Sequence, residues 1–254
     1  MTIKHPAPRD DLFLKPAADI ETTIAMGEMF LAASSAVATA DPNDAELSLV
    51  IPSRWKNDWF PQTLEGPILD SDANSHLSRQ LSRKTIRSFD PDIDVSGEVI
   101  ACLSGMLATN QHGGRAYPSP GRLYPVEVFV CTADRRVIWF DRLARAYRVK
   151  DADDLWQATQ TSDLRSSGAG SATVLAVNMP RISRKYLSRG IRYALIEAGA
   201  IAMRLEIELR KHGIESFWLG GFDDESVSAG LDPDATGLIR PILIIGHGCI
   251  AQVS

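Results

Sequence analysis

Apolar and polar positions alternate along the stretch VEVFVCTA, with Val126, Val128 and Val130 on one side and Glu127, Phe129 and Cys131 on the other. That period of two is a strand with two distinct faces. The polar turn Asp134-Arg135 separates it from RVIWF, so the two segments read as an antiparallel hairpin, and AYRVK offers a further strand. Ala172 to Met179, ATVLAVNM, is a short unbroken apolar run of the kind buried on both faces of a sheet. IESFWL runs as a strand into the glycine turn Gly220-Gly221, and LIRPILIIGHG reads as a last strand. Pro241 sits near the start of that strand, where a missing N–H is tolerated.

Helical spacing governs the rest. Val99, Cys102, Leu103, Met106 and Leu107 recur on one face between Val95 and Gln111, with Ser96 as N-cap, which predicts an amphipathic helix. DADDLWQATQ opens with helix-favouring acids, and DDESVSAGL predicts a short helix. The longest element predicted runs from about Arg184 to His212 and bears two apolar stripes. One is Ile191, Leu195, Ala198, Ala202, Leu205 and Leu209; the other is Tyr193, Ile196, Ala200, Met203 and Ile207. So wide an apolar surface calls for burial on most sides, at the centre of the fold or against a second subunit. Glu197, Arg204, Glu208 and Lys211 are left as its polar strip, and His212-Gly213 as its stop.

Residues 19–40 predict another helix, stopped by Asp41-Pro42. From there to Asn74 the chain is proline-rich, with Trp55, Trp59 and Phe60 close together, which suggests an extended arm fixed by aromatic anchors. Such an arm either patches its own core or lies over a partner or a cleft. Residues 1–75 therefore read as helix and arm, and 76–254 as the main domain.

With 254 residues, 44% hydrophobic and 23% charged, the chain can bury a full core. A net charge of −5 gives no field to gather nucleic acid or anionic lipid. Cys102, Cys131 and Cys249 are widely spaced and include no CxxC, so neither a disulfide framework nor a zinc site is indicated. His5, His76, His112 and His212 have no metal-ligand spacing, and His247 reads as the end of a strand rather than a phosphate contact. No metal is expected. No apolar run approaches the ~18 residues of a membrane span, and the N-terminus has no apolar h-region; no membrane association and a cytoplasmic location are the expectation.

Two polar stretches stand out chemically. Pro118-Ser119-Pro120-Gly121 is a turn of defined path leading into the strand at Val126, able to aim backbone N–H groups. In SRKTIRSFD, Arg83, Lys84 and Arg87 surround the hydroxyl of Thr85, a donor set that suits a phosphate monoester and equally suits a solvated surface.

These stretches also carry a resemblance. PSPGRLYPVEVFV resembles the PSxGxLYPxE block of flavin-dependent nitroreductase-like proteins of the SagB/ThcOx type, and SRKTIRSF is similar to their RRSxRxF block. RKYLSRGIRYAL matches the Lys-Tyr pair that azoline dehydrogenases place before an RGYR-like sequence, and Gly220-Gly221-Phe222 matches their GGF turn. The resemblance covers residues 76 to 248. It implies an α+β fold with a mainly antiparallel sheet between helices, a homodimer with a long buried central helix, and FMN at the dimer interface. The implied cofactor contacts are Arg83, Lys84, Thr85, Arg87, Pro118, Ser119, Gly121, Leu123, Gly220 and Gly221.

The implied activity is oxidation of thiazoline or oxazoline rings to thiazoles or oxazoles in a peptide or carrier-bound intermediate, with a cyclodehydratase complex as partner. Removing a ring proton and a hydride calls for a base and a charge-orienting group. Tyr186 fits the base and Lys185 its electrostatic partner, since an ammonium favours a neighbouring phenolate; the reverse assignment stands beside it. Two other readings share the residues: an NAD(P)H-dependent nitro or quinone reductase, and a non-catalytic flavin-binding scaffold subunit. Arg122 departs from the small residue usual in the PSxGxLYP block, and the tail GHGCIAQVS lacks the basic residue many nitroreductases carry there.

Overall fold

A computed structural model describes residues 84–232 and 238–250. The expected N-terminal helix, the aromatic arm and Arg83 lie outside the described residues, and Lys84 and Thr85, both exposed, fall in a separate unit, Ala40–Thr85. In chain order the elements are α1 (Ser96–Leu107), β1 (Val126–Thr132), β2 (Val137–Phe140), β3 (Ala146–Arg148), α2 (Asp153–Thr159), α3 (Ser162–Ser167), β4 (Ser171–Asn178), α4 (Met179–Tyr186), α5 (Gly190–Arg210), β5 (Glu215–Leu219), α6 (Asp224–Leu231) and β6 (Ile239–Gly248).

Among the described residues the strands form one sheet in the order β3-β2-β1-β4-β6-β5, antiparallel at every pairing. The α+β fold with an antiparallel sheet is thus as the sequence implies. β4, the apolar run, lies between β1 and β6 and is buried from Ser171 to Val177. The alternation of β1 sorts its side chains between two cores. Val126, Val128 and Val130 pack with Leu103 of α1 and Ile201 and Leu205 of α5, while Phe129 and Cys131 pack on the other face with Leu155 of α2, Leu164 of α3 and Val227 of α6. Each such aliphatic contributes roughly 1.5–3 kcal/mol by leaving water. Pro241 sits at a β-bulge against Ala176, beyond the last residue of β6 that β5 reaches, Ile244, so its missing N–H interrupts only an already irregular ladder.

Three expectations need correction. The first helix stops at Leu107, with Ala108 extended; the Asn110 side chain accepts from the His112 and Gly114 amides and closes a turn where the sequence still looks helical. The long helix is not continuous. Leu187, at φ 51 and ψ −139, breaks it, so that α4 and α5 are separate helices joined by a 3₁₀ turn, Leu187–Arg189. Gly190 lets them meet, since a Cβ there would lie 3.0 Å from Ile182 Cγ1. Of its two apolar stripes, α5 buries Ile191, Ala198, Ala202, Leu205 and Leu209 within this chain, while Ile196, Met203 and Ile207 of the other are 57%, 41% and 43% exposed in the single copy. Glu197, expected on the polar strip, is fully buried.

Candidate active site

Strand register brings the chemistry-bearing stretches to one end of the sheet. Val126 faces Val177, and Asn178 faces Ile239, so the loop entering β1, the chain leaving β4 into α4 and the chain leaving β5 at Gly220 all project from that end.

The loop is bent tightly. Pro120–Arg122 form a 3₁₀ turn in which Gly121 has φ 62, and Arg122 and Tyr124 also take positive φ, 56 and 48. Non-glycine residues hold such angles only where their surroundings over-determine them, and such positions concentrate at functional sites. The restraints are visible. Arg122 N–H donates to the Ser119 carbonyl at 3.0 Å, the Tyr124 amide donates to Ser119 Oγ at 2.9 Å, and the Arg115 amide donates to the Tyr124 hydroxyl at 3.1 Å.

Against this loop stands the end of α4. A Cβ added to Gly121 would lie 2.8 Å from Lys185 Nζ and 2.8 Å from Tyr186 Oη, so both polar heads rest on a backbone that only glycine can offer. Lys185 is exposed and Tyr186 half-buried. The Lys185 ammonium is 5.5 Å from the centre of the Tyr186 ring, which packs edge-on to Tyr193 at 4.7 Å between centroids. Leu123 joins Tyr186, Tyr193, Ile182 and Ile191 in a small apolar cluster that fastens the loop to α4.

Arg181, one turn before Lys185, fixes the helix to the strand. Its Nη1 donates to the Tyr124 carbonyl at 2.7 Å and its Nη2 pairs with Glu127 Oε1 at 2.5 Å. Glu127, nearly buried, also accepts from Trp139 Nε1 and Asn178 Nδ2, so the ion pair is held in a filled network rather than screened in water. Behind the loop, burial pushes the Glu197 carboxyl up to about 7, against the opposing pull of Ser119, the Val126 amide, Arg115 and Arg181.

The sequence-predicted residues separate into groups. Gly121 meets Lys185 and Tyr186 directly and Leu123 shares the apolar cluster of Tyr186, while Pro118 and Ser119 stand earlier on the same loop. Gly220 and Gly221 are exposed at the same sheet end, with open space where side chains would be. Arg87 lies elsewhere: its guanidinium stacks over Phe217 at 5.8 Å and approaches Asp163 at 4.0 Å. Its segment is tied to the opposite end of the sheet by the Phe89 amide to Ser167 and the Asp90 amide to Cys249. His247 takes the bland role expected of it, buried between Thr173 Oγ1 and Ser216 Oγ at 2.9 Å each. Arg181, Glu127 and Glu197 were missed. Only Glu197 left a trace in the sequence, as an acid in helical phase with Ala194 and Ile201.

The side-chain-free backbone at Gly220 and Gly221, at the same sheet end as Gly121, leaves room for a flat group, while the exposed Arg87 cation suits an anion at the other end of the sheet. Among the described residues no cluster of His, Cys, Asp and Glu could hold a metal, and no helix is long and apolar enough to cross a membrane.

Comparison with known proteins adds the family. The model described as the Nitroreductase family matches residues 81–248. The microcin B17-processing protein McbC of Escherichia coli is 24% identical over 143 residues, 51% of this chain, which thus spans about half of that relative (52%). Among solved structures, the Escherichia coli microcin synthetase McbBCD complex with truncated pro-MccB17 bound superposes with a TM-score of 0.68 at 19% identity, covering 94% of this chain and 98% of that one. A Ralstonia eutropha protein named for the nitroreductases gives 0.59 at 19% identity over 76% and 89%. These superpositions show the shared fold.

Proposed function

The chain belongs to the Nitroreductase family, and we propose that within it the protein is an FMN-dependent dehydrogenase that oxidises thiazoline or oxazoline rings of a peptide or carrier-bound substrate to the aromatic azoles. One observation carries the reading: Lys185 Nζ and Tyr186 Oη converge on the backbone of Gly121. The likeness to McbC, a microcin-processing protein, favours a modified peptide as substrate.

Aromatisation removes two hydrogens from the ring, one as a proton and one as a hydride. Bound FMN would supply the two-electron acceptor for the hydride, with molecular oxygen as the final oxidant. Gly121, Gly220 and Gly221 would hold its ring system by backbone contacts, and Arg87 its phosphate. Tyr186 Oη is the group placed to take the ring proton, and Lys185 Nζ stands beside it on the same backbone. Arg181 keeps both in place by fixing α4 to the Tyr124 carbonyl.

Because Arg87 and the Gly121 loop belong to opposite ends of the sheet, we read the complete site as shared between two copies, one lending each part. The exposed stripe of Ile196, Met203 and Ile207 gives α5 an apolar face for the second copy. A synthetase complex that first forms the azoline ring is the further partner.

The test is the visible absorption spectrum of the purified protein, followed by identification of any released chromophore. Stoichiometric FMN, with azole formation lost in Lys185→Ala and Tyr186→Phe, is the expected result. A protein that neither carries nor takes up FMN overturns the reading, and turnover that consumes NAD(P)H on nitro compounds or quinones replaces it with the reductase.

A further inference from the structure

Glu197 sits in the middle of α5 with no exposed surface, among Ala194, Ala198 and Ile201. A hydrocarbon side chain would fill that volume without the cost of desolvating a carboxyl. Its contacts all lead to the loop. Oε1 accepts from the Val126 amide, the first of β1, at 3.3 Å, and the Ser119 hydroxyl lies near enough to the same carboxyl to oppose the rise in its pKa. Ser119 Oγ is in turn the acceptor for the Tyr124 amide. Oε2 has no hydrogen-bond partner among the described residues.

We propose that Glu197 is a positioning residue: from behind the Pro118–Leu123 loop its carboxyl holds Ser119 and the start of β1, and so fixes where Gly121 meets Lys185 and Tyr186. Three positive φ angles within four residues, at Gly121, Arg122 and Tyr124, need a restraint that solvent does not supply. The loop's outer side is exposed at Pro118, Gly121 and Arg122, where a ligand must be free to enter, so the restraint has to come from within. Glu197 is a buried side chain that bonds Val126, after the strained residues, and lies near the Ser119 hydroxyl, before them. Its remaining neighbours, Arg115, Arg181 and Tyr117, are themselves tied to the loop or to α4. Like the assignment of the loop to a cofactor, this function rests on the flavoenzyme reading; the positioning itself does not.

The experiment is amide hydrogen exchange on the purified full chain, comparing wild type with Glu197→Gln and Glu197→Leu, with melting temperature and FMN retention measured on the same samples. The Leu variant is expected to raise the exchange of the Tyr124 and Val126 amides about tenfold or more, leave β4 amides as in wild type, keep or raise the melting temperature and weaken FMN retention. The Gln variant, which keeps an acceptor for Val126, is expected to restore the wild-type exchange pattern. Unchanged exchange at Tyr124 and Val126 in the Leu variant, or faster exchange spread evenly over the whole sheet, overturns the proposal. Should the Leu variant fail to fold, Ser119→Ala removes the same link from the loop side, and the same two amides decide. A wild-type protein that binds no FMN while its Leu variant still loosens the loop would refute the flavoenzyme reading and leave the positioning role standing.

Discussion

Two buried titratable side chains at opposite ends of the sheet show how differently this fold uses polarity in its interior. His247 is buried with both ring nitrogens matched to hydroxyls, Thr173 and Ser216, between strands of ordinary geometry. Glu197 is buried just as deeply, yet one oxygen lacks a partner and the chain it holds is strained. The first arrangement is closed and faces nothing outside itself. The second carries its conformational cost next to the Lys185–Tyr186 pair. Burial alone therefore does not mark a site; unfilled hydrogen-bonding capacity beside strained backbone does.

The two ends respond differently to the same substitution. Gly121→Ala would drive a methyl into Lys185 Nζ and Tyr186 Oη and force a residue with a side chain to φ 62. Turnover is expected to fall by about 100-fold or more through misplacement of the pair, measured as kcat/KM on an azoline peptide. Gly246→Ala, whose Cβ would lie 2.4 Å from Phe217 Cε1, is expected instead to lower stability by roughly 1–3 kcal/mol, seen in denaturant midpoints, with turnover per folded molecule unchanged. Equal effects of the two on turnover would erase the distinction between the ends.

Removing the groups themselves sharpens it. Tyr186→Phe is expected to cost about 10²–10⁴ in azoline oxidation at an unchanged melting temperature, because the phenol is half-exposed and its packing on Tyr193 survives in Phe. His247→Ala strands the hydroxyls of Thr173 and Ser216 and empties a packed volume. It is expected to cost about 2–5 kcal/mol and to leave FMN affinity intact, read by chemical denaturation and flavin titration.

The smallest effect is in pH dependence, and its sign differs between the ends. Burial raises Glu197 from 4.5 to about 7, so its contribution to stability is fully present below pH 4.5 and lost as pH rises through about 7. Burial lowers His247 from 6.5 to about 3, so its contribution is present above pH 6.5 and lost as pH falls toward 3. Between pH 4.5 and 6.5 the two slopes oppose. Glu197→Gln should remove one of them and expose a stability that rises with pH across that window, measured as unfolding free energy at a series of pH values. An unaltered profile would mean that Glu197 does not hold its proton in the folded protein.

Much of this architecture is legible in the sequence. The strict alternation of β1 and the apolar run of β4 specify strand and face, because a period of two leaves no other surface to bury. The Lys185-Tyr186 and PSPGRLYP stretches could be singled out, and the fold sets them against each other. What sequence does not show is the break at Leu187: α4 and α5 have one uninterrupted helical pattern, and only the positive φ at that residue divides them. Nor does it show Arg181 or Glu127, whose pairing depends on β1 and α4 meeting in space. Glu197 looked like part of a polar strip because its neighbours Arg204 and Glu208 are on one; its own phase follows Ala194 and Ile201, which turns it inward. The α3 helix, too short for a periodic signal, rests on the Thr161 side chain accepting from the Leu164 amide.

The most direct test of the central claim is mass spectrometry of a thiazoline-containing peptide incubated aerobically with the flavin-loaded protein in the absence of NAD(P)H. Loss of two hydrogens per ring is expected with the wild type and none with Tyr186→Phe. A peptide returned unchanged by fully loaded wild-type protein, or oxidised equally well by the Tyr186→Phe variant, would contradict it.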